Sequence, residues 1–270
     1  MVVGGTAHQA SLTADREESK YLVAWQEQRT LVAALNQHLP THRHRGEGAN
    51  PLPGPEHFVT TVYLDTPSLT HFHAARRDGE NHVKLRAKEY YDVHPSLAEL
   101  ATDSSQFLHR TPYVWLELKR RVGNRSQKQR VRLERSAVAA WLSGHDTCVE
   151  TNGDAAAIRA YCRGFSEPLG PCSLVNYKRR SWQAADDTLR VTIDSELGFF
   201  AILPELWTMP SLSRSALGQP RQREPNLVVE IKRPSSALPA WLEQALHGAR
   251  AKPVSYSKFV HATESVLGNG

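Results

Sequence analysis

The chain has 270 residues, 40% hydrophobic and 23% charged, so it can bury a sizeable core and lacks the profile of a disordered protein. No apolar run reaches the roughly 18 residues of a membrane span, and the start, MVVGGTAHQASLTADREE, lacks the apolar stretch of a secretory signal, so a cytoplasmic location is expected. Lys and Arg number 33 against 28 Asp and Glu, a net +5 that favours an anionic partner, while Cys148, Cys162 and Cys172 form no CxxC pair and argue against a disulfide framework or a cysteine zinc site.

In chain order, residues 1–15 are expected to form a flexible tail and residues 16–266 a single domain. Period-two alternation predicts a first strand at 16–23, with Arg16, Glu18 and Lys20 on one parity. A helix follows at 26–39, its apolar stripe made by Leu31, Ala34, Leu35 and Leu39. Proline and glycine mark 40–55 as a loop, and Asp78-Gly79 as a turn. The strand at 82–88 sets Lys84, Arg86 and Lys88 opposite Val83, Leu85 and Ala87. The next, at 113–119, sets Trp115, Glu117 and Lys119 opposite Val114, Leu116 and Leu118. Val122-Gly123-Asn124-Arg125 reads as the hairpin turn into a strand at 128–134, whose polar parity carries Lys128, Arg130, Arg132 and Glu134. Helices at 136–142 and 154–163 precede a strand at 189–194 bearing Arg190, Thr192 and Asp194. After a long loop at 203–225, a strand at 227–232 carries Glu230 and Lys232, and helices at 239–247 and 257–266 follow.

The charges gather on one parity of these strands. Arg16, Lys20, Lys84, Arg86, Lys88, Lys119, Lys128, Arg130, Arg132, Arg190 and Lys232 face only Glu18, Glu117, Glu134, Asp194 and Glu230. A solvated face mixes its signs more evenly. The helical stripes need an apolar partner, and the Val/Leu/Ile face of the strands supplies it, which places the helices outside the sheet. Closing the sheet removes its edges and turns the charged face into a lumen. The expected fold class is therefore α+β: an antiparallel β tunnel barrel with a cationic lumen and helices packed outside.

Cations lining a lumen repel one another unless a polyanion fills it. A chain of phosphates suits such a lumen, because Arg grips phosphate oxygens in pairs and Lys supplies a point charge. Glu18, Glu117 and Glu230 each stand two residues before a lysine. A hard oxygen ligand beside a phosphate points to Mg²⁺ or Mn²⁺, with cross-strand ion pairing as the simpler reading of the same spacing.

Along the chain stand Lys20-Tyr21, Tyr63-Leu64-Asp65-Thr66, Lys84-Leu85-Arg86, Trp115-Leu116-Glu117-Leu118-Lys119-Arg120, Ser126-Gln127-Lys128-Gln129-Arg130, Tyr177-Lys178-Arg179, Leu189-Arg190-Val191-Thr192-Ile193-Asp194, Val229-Glu230-Ile231-Lys232 and Ser257-Lys258-Phe259. This ordered set resembles the VTC domain, the polyphosphate polymerase module of the vacuolar transporter chaperone family and a member of the CYTH-like triphosphate tunnel metalloenzymes. The resemblance implies an eight-stranded tunnel barrel that uses Mn²⁺ or Mg²⁺ to transfer the γ-phosphoryl group of ATP to a growing inorganic polyphosphate chain. By position it implies catalytic roles for Lys84, Arg86, Lys119, Lys128, Arg179 and Arg190. Phosphate binding falls to these and to Lys20, Arg130, Lys232 and Lys258, and metal binding to Glu230 and then Glu117. Phosphoryl transfer asks mainly for positioning and charge stabilisation, so the lack of a Ser or Cys nucleophile motif is consistent. Three departures stand out. Arg16 occupies the place where related enzymes begin an acidic ExExK motif, which argues against a two-metal site. The eukaryotic membrane anchor and SPX sensor are not found, and the Arg179-Arg180 tandem leaves open which arginine faces inward.

A hydrolase of tripolyphosphate or a nucleoside triphosphate would use the same ligands, with water as the acceptor. Six Trp and eight Tyr among the cations also suit a non-catalytic module for single-stranded nucleic acid or another polyanion. Trp115 is the best support for that reading, although a tunnel could stack adenine there. ATP with polyphosphate or tripolyphosphate is the expected partner set, nucleic acid is not, and a membrane partner drawing off the product is compatible. The pairs His42/His44 and His71/His73 are expected at the surface and not as metal ligands. The chain has no GxxxxGK[ST], GxGxxG or GxSxG sequence.

Overall fold

The computed structural model describes residues 16–42, 56–91, 113–123, 125–145, 153–234 and 237–268; the expected tail at 1–15, His44 and Cys148 lie outside these. Among the described residues, ten strands join one antiparallel sheet: β1 (Arg16–Ala24), β2 (Glu56–Asp65), β3 (His82–Tyr91), β4 (Tyr113–Val122), β5 (Arg125–Glu134), β6 (Gly170–Gln183), β7 (Arg190–Phe200), β8 (Gln222–Arg223), β9 (Asn226–Pro234) and β10 (Lys252–Pro253). Their order is β10-β1-β9-β7-β6-β2-β3-β4-β5, with β8 paired to β7. Seven helices among the described residues complete this α+β fold: α1 (Gln28–His38), α2 (Thr70–Arg77), α3 (Val138–Leu142), α4 (Gly153–Arg163), α5 (Arg214–Leu217), α6 (Ala240–Gly248) and α7 (Lys258–Leu267).

The six expected strands and five expected helices occur within a few residues of their predicted bounds, and Gly123, at φ +55°, makes the turn of the β4–β5 hairpin. The strands β2 and β6 carry no alternation to announce them. Nine of the ten residues of β2 are buried, because both of its faces are covered. In β6 the register against β7 shifts between Asn176 and Lys178. The extra residue lies in β7 at Glu196, whose φ of +54° puts Asp194 and, further on, Leu197 and Phe199 on the same inner face.

Eight strands have nine or more residues, but the hydrogen-bonded path is open, which corrects the expectation of a closed barrel. Both edges that closure would need are taken. The outer edge of β1 pairs with β10 at Tyr21↔Pro253 and Leu22↔Lys252, and the Val254 N–H donates to the Lys20 carbonyl. At the other end, the Arg130 N–H of β5 donates to Asp154 of α4 at 3.1 Å. Each edge is thereby occupied over part of its length. The sheet still curls far enough for β4 to meet β1 through side chains, with Lys119 Nζ 3.7 Å from Glu18 Oε2.

Two apolar clusters lie outside the curl. One packs Leu85, Leu116, Leu118 and Leu133 against Trp141 of α3 and Ile158 of α4. The other packs Val191, Val229 and Ile231 against Leu31 and Leu35 of α1 and Leu242 and Leu246 of α6. A third cluster corrects the expectation that every helix packs outside. Val59, Tyr63, Val175, Tyr177 and Val228 face inward and are covered by Phe72 of α2 and by Phe259 and Ala262 of α7. These two helices stopper one end of the concave face and leave the remainder to the charges.

Candidate functional site

Strand register brings the predicted cations together in rows across β3, β4 and β5. Lys84, Lys119 and Lys128 are direct neighbours; the next row is Arg86, Glu117 and Arg130, and the next Lys88, Trp115 and Arg132. Because side chains point to one face every second residue, all nine face the concave side. From the other limb of the curl, Glu18 of β1 lies opposite Lys232 of β9, which pairs with Arg190 of β7; Lys20 lies opposite Glu230.

Most of the predicted ligands are held in place by named partners. Arg86 places Nε and Nη2 each 2.9 Å from Oε2 of the buried Glu117. Arg179 forms a paired contact with Asp194, with Nη2 2.7 Å from Oδ2, while Lys258 Nζ lies 2.6 Å from the same oxygen. Arg179 is the inward arginine of the tandem, since Lys178 and Arg180 turn to Glu56. Lys20 donates to the Tyr256 carbonyl at 2.8 Å and Lys84 to Ser257 Oγ at 3.1 Å, tying two lumen cations to the start of α7. Lys232 Nζ lies 3.0 Å from Glu230 Oε1 and 3.7 Å from Glu18 Oε2. Arg130 stands over the Trp115 ring, and Lys128 is exposed toward the β5 edge. The structure does not place Glu117 and Glu230 in contact: Glu117 is engaged by Arg86, whereas Glu230 lies among Lys20, Lys232, Arg179 and Lys258.

Electrostatics follows from crowding these charges out of water. Burial, reinforced by Lys20, Lys119 and Arg86, holds the Lys84 ammonium well below its ordinary pKa. Burial likewise lowers Lys119 to about 8, although Glu18 opposes it. The carboxylates move the other way. Burial alone would raise Glu117, but Arg86, Lys88 and Lys128 overcome it and hold the group at about 2. Glu18 also sits at about 2: burial and Glu230 push upward, and Lys119, Lys20 and Lys232 prevail. Glu230 is driven well below its usual range by Lys232, Lys20 and Arg179 against the effect of burial. The carboxylates therefore stay charged, while Lys84 and Lys119 are short of counter-charge and Lys232, beside Glu230, is raised. A cleft of about 800 Å³ opens this face to the outside, lined by Lys20, Lys84, Lys119, Arg76, Arg121 and His82 among others.

Four residues named in the sequence take contacts there that the sequence does not reveal. Asp194 had been counted only as a stray carboxylate of the polar parity, yet it is fully buried and orients two predicted ligands. Tyr177 lies under both Arg179 and Lys258, at 5.3 and 5.0 Å. Glu18 lacked an assigned partner, and Ser257 had appeared only in a motif. Asp194 and Glu18 were detectable as carboxylates on a cationic parity, whereas the contacts of Tyr177 and Ser257 depend on where α7 docks. His71, expected at the surface, is instead buried, with Nδ1 3.0 Å from Asp65 and Nε2 2.6 Å from the Tyr161 hydroxyl. It anchors α2 to β2 and α4. Among the described residues no three His, Cys, Asp or Glu side chains converge into a metal-binding group, and no helix is long and apolar enough to cross a membrane.

No curated protein matches the chain. Among solved structures it is similar to an adenylate cyclase candidate from Bacillus halodurans, with 14% identity, TM-score 0.45 and coverage of 92% of this chain and 97% of that one. A protein from Pyrococcus horikoshii OT3 gives 11% identity and TM-score 0.42, covering 92% and 98%. An adenylate cyclase candidate from Vibrio parahaemolyticus gives 9% identity and TM-score 0.37, covering 87% and 86%. The VTC domain model matches residues 15–267, which include every strand, every helix and every predicted ligand described above. The chain belongs to the VTC domain family.

Proposed function

We propose that the protein is a metal-dependent polyphosphate polymerase that transfers the γ-phosphoryl group of ATP to an inorganic polyphosphate chain lying in its basic groove. The observation that carries this reading is the row Lys84, Lys119 and Lys128 beside Arg86, on a concave face where burial and mutual repulsion lower Lys84 and Lys119. Such a row is self-destabilising when empty and is neutralised by a string of phosphates. Arg86 and Arg179, each oriented by a buried carboxylate, suit the equatorial oxygens of a transferring phosphoryl group.

The residues fit a divalent cation at one place. Glu18 and Glu230 both reach the Lys232 ammonium and both stay ionised, which supports a cation at this position. Two carboxylates plus phosphate oxygens and water form the shell that Mg²⁺ or Mn²⁺ usually takes. Such an ion would neutralise charge building up on the transferred group. The chain's own residues do the remainder: Lys84, Lys119 and Lys128 bind along the phosphates, Arg86 and Arg179 orient them, and Lys258 supports the Asp194 side.

The test is incubation of purified protein with ATP and Mn²⁺, with and without a short polyphosphate primer, reading polyphosphate, ADP and orthophosphate together. Chain growth with ADP is the expected result. Orthophosphate without chain growth selects a hydrolase, and no turnover at all overturns the enzymatic reading. In Glu230→Gln, turnover is expected to vanish while tripolyphosphate binding persists.

A further inference from the structure

Trp115 remains unexplained by either packing or phosphate binding. It is half-buried on the inner face and joins none of the three apolar clusters. Its Cα neighbours are Lys88 and Arg132, and the Arg130 guanidinium lies over its ring at 4.5 Å. Tyr113, two residues further along β4, repeats the arrangement with Arg132 at 4.7 Å. The concave face therefore changes character along its length: lysines at the Lys84 row, arginine and glutamate at the Arg86 row, then flat aromatic rings backed by guanidinium planes. Consecutive rows are spaced by about 7 Å, two residues of strand. An inorganic phosphate chain has no use for an indole. A nucleoside triphosphate does, since it joins a row of phosphates to a flat π surface.

We propose that Trp115, with Arg130 stacked on it, is the nucleobase platform of this groove. The triphosphate lies along the Lys84 and Arg86 rows, and the base stacks at Trp115. This rests on the phosphate-binding reading above and adds where the donor's base sits and which way its phosphates run. The terminal phosphate then points toward Lys20, Lys84 and Lys119 and the cleft they line. Recognition by stacking reads area and not hydrogen-bond pattern, so purine triphosphates bind more tightly than pyrimidine ones, with little distinction between adenine and guanine.

The test compares ATP, CTP and tripolyphosphate binding to the wild-type chain, Trp115→Ala and Trp115→Phe by calorimetry. Loss of a base–aromatic stack is worth about 1–3 kcal/mol, so Trp115→Ala should weaken ATP roughly 5- to 150-fold. It should change tripolyphosphate affinity less than about twofold, Trp115→Phe should recover most of the loss, and the alanine variant should lose the preference for ATP over CTP. Retained tripolyphosphate binding also reports that the variant is folded. Equal weakening of ATP and tripolyphosphate, or an unchanged ATP affinity, overturns the platform while leaving the phosphate groove standing. If the wild-type chain binds neither ATP nor tripolyphosphate, both readings fall together.

Discussion

At the scale of single residues, the site is a set of cations whose charge is costly to maintain. Lys119 illustrates it: its pKa of about 8 in the fold compares with an ordinary 10.5. Between these values the unfolded chain binds more protons at this group than the folded one, so its contribution makes the empty protein more stable as pH rises from about 8 toward 10.5. A polyanion reverses the preference by stabilising the ammonium. Tripolyphosphate binding near pH 8.5 should therefore take up protons, seen in calorimetry as an enthalpy that varies with the ionisation enthalpy of the buffer. Buffer-independent heats, or proton release, would count against a groove that holds partly neutralised lysines. The identity of these residues was legible because charge on one strand parity is visible in a sequence. Their partners were less so: the contact of Glu117 with Arg86 is set by the register Arg86↔Glu117, which the sequence does not carry.

At the scale of elements, α7 matters most. Its stripe of Phe259 and Ala262 was legible as amphipathic periodicity, but periodicity says only that a helix has an apolar side, not which face of a sheet receives it. The inner face became available because Tyr63, Tyr177 and Val228 make an apolar patch there, and Phe259 packs on Tyr63 with ring centres 4.8 Å apart. Docking also delivers Lys258 to Asp194 and Ser257 to Lys84. Phe259→Ala should therefore cost about 3–5 kcal/mol of stability by emptying a buried site, measured as a lower urea midpoint with an unchanged slope. A loss below 1 kcal/mol would mean that the helix is not seated as described. The strands β2 and β6 escaped prediction for a related reason. A strand covered on both faces loses the alternation that reveals a half-buried one, and β6 adds a register shift.

At the scale of the whole molecule, positive charge is concentrated on the concave face and stapled there by a few carboxylates. Binding of a narrow polyanion should thus stabilise the fold, whereas a duplex is too wide to enter. At a ligand concentration about 100 times Kd, tripolyphosphate should add roughly 2.7 kcal/mol, or a rise of about 5–10 °C in Tm for a chain of this size. Duplex DNA at equal phosphate concentration should produce a much smaller shift; an equal shift would indicate an external binding surface. By itself the sequence determined the charged parity of the strands, the positions of most helices and the ordered motifs, because alternation and charge are local properties of the chain. Only the tertiary structure decided that the sheet stays open, that α2 and α7 enter the concave face, that Arg179 and not Arg180 points inward, and that Glu18 rather than Glu117 stands with Glu230. Those outcomes depend on which edges and faces are already occupied when distant segments meet, and no local pattern carries that information.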